Sequence, residues 1–404
     1  MKVLILNQAF YPDVVSTAQH AADLAVALVQ AGHSVTVIAG NRGYDDPQLR
    51  FPAREQWRGV HIVRLGALGL GKASRWRRAV GFAWFMSACA LRLLMLPRVD
   101  VIVAMTSPPL ISFLAALAVP MKAKRLVVWA MDVNPDEAIA AGWLRERSLT
   151  ARSLAAMLRY SLRRAAAVVV LDRFMRERIL AKGVSPANVH TVPPWAHDDV
   201  VRFDDAGRQR FREQHGLGGR FVVMYSGNHS PCHPLDTVLE AAERLRSHPE
   251  IVFCFVGGGS EHARLRRRAQ ELGLENVLCL PYQPLEQLAG SLSAADLHVV
   301  VMGDAFRGIV HPCKIYNVIA VGAPFLYVGP AQSHLTDLAQ DLPAAAWSSH
   351  RHGDVEGVIR HVLRAAGSAP SPRSANGLQR FSRSTLAPDL VHIIEQAAAP
   401  PAKG

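Results

Sequence analysis

Four short polar segments stand directly after apolar runs, the position at which strands of an open α/β sheet present their chemistry. In the second half, Tyr225-Ser226-Gly227-Asn228-His229-Ser230-Pro231-Cys232-His233-Pro234-Leu235-Asp236 leads into TVLEAAERL. A small polar turn before a helix offers unpaired N–H groups and the positive end of the helix dipole to a phosphate. A plain capped helix start, with Asp236 as the cap, fits the same residues. Gly257-Gly258-Gly259-Ser260-Glu261 follows another apolar run; its glycines either admit a ligand close to the backbone or supply left-handed turn geometry. The stretch from Asp304 to Asn317 carries Arg307 and Lys314 on a loop running into a helix, cations suited to a diphosphate or else a solvated pair. In the first half, Asp132, Asn134, Asp136 and Glu137 crowd the end of the run VVWA. Acids there orient sugar hydroxyls or move protons, or they form the polar first turn of a helix with Asn134 as cap. Zinc is a weak alternative for His229, Cys232, His233, His311 and Cys313, because neither cluster has the paired spacing of a metal scaffold.

Such segments need a frame. In the first half, strands are expected at Val3–Leu6, Val35–Ile38, His61–Leu65, Val101–Ala104, Arg125–Trp129, Val168–Leu171 and His190–Val192. Helices are expected at Thr17–Gln30, Trp76–Leu96, Leu110–Ala118 and Leu149–Arg164. The series ends at Pro193-Pro194, which stops the last strand and marks a boundary. A second series with the same grammar starts at Phe221, and a Ser/Pro/Ala linker over 366–376 precedes a last helix near Leu386–Ala397. The expected fold is α/β: two doubly wound Rossmann-like domains facing each other across a cleft, with domains at 1–195 and 196–375. Residues 376–404 form a linker and helix expected to return to the first domain.

Composition narrows the function. The chain has 404 residues, half of them hydrophobic and 19% charged, which excludes extended disorder and favours more than one domain. Residues 1–200 hold 25 basic and 14 acidic side chains, whereas residues 201–404 are nearly balanced, so one lobe faces something anionic. Five scattered cysteines suggest reduced thiols, and MKVLILNQAFYPD reads as a first strand in place of a signal peptide. No G-x-G-x-x-G or P-loop spacing occurs, which removes support for hydride and P-loop phosphoryl transfer. Nucleic acid is a poor fit despite a pI near 9.9, for want of interleaved aromatic and basic residues. Val101–Met121 lacks charge, but Ser107-Pro108-Pro109 divides it into a buried strand-turn-helix unit. Ala79–Pro97, preceded by Arg75, Trp76, Arg77 and Arg78, is either a buried helix with a basic start or one lying in a membrane interface.

At these residues the chain resembles the retaining glycosyltransferases of family 4, of GT-B fold, and within them bacterial O-antigen and exopolysaccharide sugar transferases. The resemblance rests on Tyr11-Pro12, Ala31–Val37, Trp129–Glu137, Ser226-Gly227-Asn228 through Asp236, the glycine triplet, Ala294-Ala295-Asp296, Pro312-x-Lys314-x-Tyr316 and Ala320-x-Gly322-x-Pro324. It implies a nucleotide sugar on the second domain, held by Gly227, Asn228, His233, Gly257, Gly258, Tyr282, Arg307, Lys314 and Asn317. Asp132, Glu137 and Lys314 are the implied catalytic set, without a metal or other cofactor. Ser16, Thr17, Arg75, Trp76, Arg77, Arg78 and Trp84 are the expected acceptor and membrane residues. The implied acceptor is an undecaprenyl-diphosphate-linked saccharide at the inner face of the bacterial plasma membrane. A nucleotide-sugar 2-epimerase and a non-catalytic assembly partner share the architecture. The chain departs from the family pattern at Asn228 and His233, in place of Arg and Lys, and at Ile309 and Asn317, in place of two glutamates. Met131 replaces a histidine. An imidazole at 233 is expected to change charge near neutral pH.

Overall fold

The computed structural model describes residues 1–43, 48–68, 75–196, 201–368 and 379–399. The Val/Ile/Leu runs form strands buried on both faces, which is why their apolar character is continuous and not alternating. In the first half these are β1 (Lys2–Leu6), β2 (Ser34–Gly40), β3 (Arg54–Trp57), β4 (Val60–Leu65), β5 (Val99–Ala104), β6 (Ala123–Trp129), β7 (Ala167–Val170) and β8 (Val189–Thr191). They order as β3-β4-β2-β1-β5-β6-β7-β8, and only the β3–β4 pair is antiparallel. In the second half β9 (Phe221–Asn228), β10 (Ile251–Gly258), β11 (Val277–Leu280), β12 (Leu297–Val301), β13 (Phe325–Val328) and β14 (Trp347–His350) form a parallel sheet ordered β11-β10-β9-β12-β13-β14.

Two compact units result. One comprises Met1–Pro194, Gly308–His311 and Ser384–Gly404; the other comprises Trp195–Arg307 and Pro312–Arg383. In the first, the closing helix Arg383–Ala398 is tied by Glu395, whose carboxylate lies 2.8 Å from His33 Nε2. In the second, Val223, Phe253, Val299 and Leu326 from four strands pack with Val358 and Val362 of the Val355–Ala366 helix. Burying each such side chain stabilises the fold by about 1.5–3 kcal/mol.

Several elements lacked a legible sequence signal. The polar β3 joins β4 through Arg58 and Gly59, both at positive φ, the two-residue hairpin turn that twisted strands prefer. The charged stretch before Arg220 contains the Asp205–Gln214 helix, capped by the Asp204 side chain on Gly207 N–H. Asp296 fixes that helix to the sheet: its carboxylate accepts from Arg208 at 2.6 Å, Arg212 at 3.0 Å and Val222 N–H at 2.8 Å. Burial pushes this carboxyl up, but those donors prevail and hold it below the usual carboxylate range. The uncharged segment after β5 continues as the Ile111–Lys122 helix, past the expected end at Ala118 and through Pro120. Among the described residues, no helix is long and apolar enough to cross a membrane. Most of the expected 366–376 linker lies outside the described residues.

The register of β9 and β10 matters most for function. It places Gly257 opposite Gly227 and Gly258 opposite Asn228 at the carboxyl ends of both strands. A Cβ on Gly257, whose φ is +137°, would stand 2.0 Å from the Gly227 carbonyl oxygen. One on Gly259 would stand 2.3 Å from the His229 oxygen. These glycines therefore let the two strand ends meet. Gly257→Ala should cost about 3 kcal/mol or more through overpacking and backbone strain. Thermal denaturation checks this, and a midpoint within about 2 °C of wild type would contradict it.

Candidate functional site

The second unit gathers its polar residues around the β9 end. Lys314 opens the Lys314–Ala320 helix, and its side chain reaches Gly227, where a Cβ would lie 3.2 Å from Nζ. Its ammonium donates to the Tyr225 hydroxyl and lies 3.7 Å from the centre of that ring. Among the described residues Lys314 forms no ion pair. Burial brings its pKa down to about 7, only slightly countered by Cys313. A lysine half-charged at neutral pH, with no carboxylate beside it, is poised to gain its proton when an anion arrives.

The histidines are neutral companions. His233 Nδ1 donates to the Val301 carbonyl at 2.7 Å, leaving Nε2 as an acceptor in the neutral ring. Burial, then the Lys314 charge, holds its pKa well below the ordinary value, so the expected charge change near neutral pH does not occur there. Lys314 takes that role. His229 is fully buried beneath the turn, and burial, Lys314 and His262 bring its pKa down to about 3. Its ring meets Tyr225 edge-on at 4.8 Å and His262 at 4.7 Å. Among the described residues, the ligand atoms of His229, Cys232 and His233 do not gather into a metal-sized cluster.

The remaining donor candidates lie on other elements of the same unit. Tyr282 follows β11, is 41% exposed, and its ring edge lies against Gly258. Gly257 and Gly258 thus serve strand closure and ring packing before any contact with a ligand. Arg307 is exposed at the end of the single turn Asp304–Phe306, and Asn317 stands one helical turn beyond Lys314. Tyr225 was the residue that sequence reasoning missed. It reads as one more apolar strand position, and only its proximity to Lys314 gives it a task.

In the first unit the acids separate into different roles. Asp136 is paired with Lys182, whose Nζ lies 2.8 and 2.9 Å from its two oxygens. Glu137 accepts from the Asn134 side-chain amide at 2.9 Å, so Asn134 orients an acid and does not cap the Asp136–Ala140 helix. Asp132 lies in a recess at the ends of β5 and β6, with Thr106, Leu110, Ser112 and Asn134 also lining it. Burial and then the Glu137 charge push its pKa up to about 8. A neutral carboxyl there can donate a hydrogen bond to a hydroxyl oxygen, and its ionised form can accept a proton. Ser16 is exposed and Thr17 half-buried at the start of the Ser16–Gln30 helix, with Ser16 Oγ 3.4 Å from His20 Nδ1.

The Arg75–Met95 helix has a buried side and an exposed apolar side. Phe85, Cys89 and Leu93 are buried, while Val80, Trp84, Leu91, Leu94 and Met95 are exposed. Leu117 and Met121 of the Ile111–Lys122 helix, which packs against it, are exposed as well. Trp76 is 61% exposed beneath the Arg77 guanidinium, and the Trp84 indole N–H donates to the Gly66 carbonyl at 2.8 Å. The side chains of Arg75 and Arg78 lie outside the described set.

Known proteins share both halves of this architecture. Residues 17–195 match the Glycosyl transferase 4-like domain and residues 207–311 match Glycosyl transferases group 1. The chain belongs to the glycosyltransferases of family 4, with the GT-B fold. It is 27% identical over 366 residues to a protein named as a putative colanic acid biosynthesis glycosyl transferase, WcaI of Escherichia coli, covering 86% of this chain and 88% of that one. In fold it is similar to sucrose-phosphate synthase from Thermosynechococcus elongatus (TM-score 0.73, 17% identity, 98% of each chain). It is also similar to Anabaena HepE in complex with UDP-glucose (TM-score 0.70, 14% identity, 98% of this chain and 100% of that one).

The raised Asp132 pKa has a stability consequence. The folded state holds a proton on this group that the unfolded chain releases above about pH 4, so its contribution is full below that pH and is lost as pH rises toward 8. Asp132→Asn removes that loss. Its melting temperature relative to wild type should therefore rise between about pH 5 and 9; a constant difference would contradict the assignment.

Proposed function

We propose that this enzyme transfers a sugar from a nucleoside-diphosphate donor on the second unit to a lipid-diphosphate-linked saccharide on the first. The transfer retains anomeric configuration, uses no bound metal, and contributes to cell-surface polysaccharide assembly at the inner face of a bacterial membrane. The observation that carries the reading is the half-buried, desolvated Lys314 ammonium, with no carboxylate paired to it among the described residues, beside the Gly227 turn. A departing nucleoside diphosphate gains negative charge as the glycosidic bond breaks, and a preorganised cation stabilises that charge most where water is scarce. Tyr282 offers a face for the base, Asn317 a polar group for the ribose, and Arg307 a second cation. Asn228 and His233 complete the phosphate turn, and Asp132 with Glu137 meets the acceptor hydroxyl. The UDP-glucose complex of HepE and the colanic acid name of WcaI support donor class and pathway.

The membrane part rests on the Arg75–Met95 helix. Residues 72–125 contain nine basic side chains and one acidic, Asp100. An apolar ridge within a basic field fits an anionic bilayer, with Trp76, Leu91, Leu94 and Met95 entering the headgroup boundary. Arg75, Arg77 and Arg78 lie at one end of the helix, and Arg98 and Lys122 at the other. Ser16 and Thr17 begin the helix that follows β1, where they are offered to the acceptor.

Donor binding is tested by calorimetry and thermal shift with UDP-, GDP- and dTDP-sugars. A ligand at a hundred times its dissociation constant adds about 2.7 kcal/mol of stability. Lys314→Met should abolish that shift for the bound class. Because the cation is present below the Lys314 pKa of about 7, affinity should fall above that pH, by up to about tenfold per unit. Failure of the whole panel, or a flat profile, would remove the donor site; release of a free 2-epimerised sugar would point to the epimerase. For the membrane, Leu91→Asp/Leu94→Asp/Met95→Asp and Arg75→Glu/Arg77→Glu/Arg78→Glu should each prevent flotation with phosphatidylglycerol vesicles. Unchanged flotation in both would refute the docking face.

A further inference from the structure

One phenol oxygen joins the cation to the phosphate turn. The Tyr225 hydroxyl accepts from the Lys314 ammonium and donates to the Asn228 carbonyl at 2.7 Å, while its ring lies under Nζ at 3.7 Å. Tyr225 is 1% exposed, so neither its ring nor its hydroxyl has room to rearrange independently. The titratable groups coupled to the pair come from several elements. His229, Cys232 and His233 come from the turn after β9, Tyr282 from the loop after β11, and Cys313 from the position just before the helix that Lys314 begins. None is a carboxylate, so nothing in this set competes with an incoming anion for the ammonium.

We propose that Tyr225 is a positioning residue for Lys314: its oxygen and ring hold the ammonium against the end of β9, so that cation and phosphate turn present one fixed geometry to the donor. The role in donor binding rests on the function proposed above; the coupling of Tyr225 to Lys314 does not. A lysine stem has four rotatable carbons, and holding it beforehand reduces the ordering that binding must impose. The oxygen also favours the charged amine, because it accepts from the ammonium. Burial opposes it and brings the amine to about 7. Loss of the oxygen therefore moves the amine further down.

The test begins with nucleotide-free protein. Amine labelling between about pH 5.5 and 9, read at Lys314 by mass spectrometry, follows this one ammonium. Wild type is expected to titrate near 7. Tyr225→Phe, which keeps ring and volume, is expected to titrate at lower pH. A variant that unfolded would instead free Lys314 toward the ordinary lysine range, a shift in the opposite direction. Nucleotide-sugar affinity at about pH 6 should fall about tenfold in Tyr225→Phe. Adding Tyr225→Phe to Lys314→Met should then cause little further loss, because the tyrosine acts through the lysine. Identical labelling curves for wild type and Tyr225→Phe, or an upward shift, would overturn the proposal, as would fully additive affinity losses. If no nucleotide sugar binds wild type, the donor reading falls, and the labelling curves still decide what Tyr225 does to Lys314.

Discussion

Lys314 brings a positive charge to the ends of the strands with no carboxylate among the described residues to balance it, and the surrounding side chains answer that imbalance. Desolvation disfavours the ammonium, so the neighbours that can remain neutral do so: His229 and His233 are held below their ordinary range. Tyr225 offers an oxygen and a ring face, the weak partners that stabilise a cation without neutralising it. Paired carboxylates in this unit lie elsewhere. Asp296 is occupied by Arg208 and Arg212 at the other end of β9, where it fixes a helix in place. The ammonium consequently remains available to an anion from outside the chain.

The first unit poses the converse problem with the same physics. Asp132 is a carboxyl in a recess, and burial together with Glu137 keeps it protonated near neutrality. Asp136, only four residues on, has Lys182 and is therefore settled as an ion pair. A cation lowered to about 7 and an acid raised to about 8 both titrate near neutral pH, although their unperturbed values differ by more than six units. Desolvation moves acids up and bases down, and both groups come to titrate where transfer chemistry needs a proton held loosely.

The strands and the long helices were legible because their signals are local: continuous apolar runs, 3.6-residue periodicity and paired prolines. β3 was not, because its polar residues belong to a sheet edge and its signature is two positive φ angles, which Arg58 and Gly59 announce only weakly. The Val355–Ala366 helix was missed although Val355, Val358 and Val362 share its buried face; the glycine and histidine around it resemble a loop. In the site, Lys314 and Asp132 could be named from charge and position after a strand. Their titration could not, since it depends on what surrounds them in space. His233 shows the same limit: its residue type suggests a neutral-pH switch, and its burial removes one. Tyr225 shows the complementary limit, because a tyrosine inside FVVMYSG is ordinary strand sequence until Lys314 arrives from 89 residues away.

The departures from the family pattern have a common electrostatic sense. A Lys at 233 would place a permanent cation beside Lys314, raising the cost of its proton in a desolvated site. His233 withholds that charge, and Asn228 and Asn317 are likewise uncharged. Fewer charges on the second unit near Lys314 means fewer that must be desolvated. What changes is the division of labour. On the function proposed above, several fixed cations would share a diphosphate among them, whereas here Lys314 would carry more of that charge, assisted by Arg307. On that reading, concentrating the task on one titratable group gives weight to Tyr225, which holds that group.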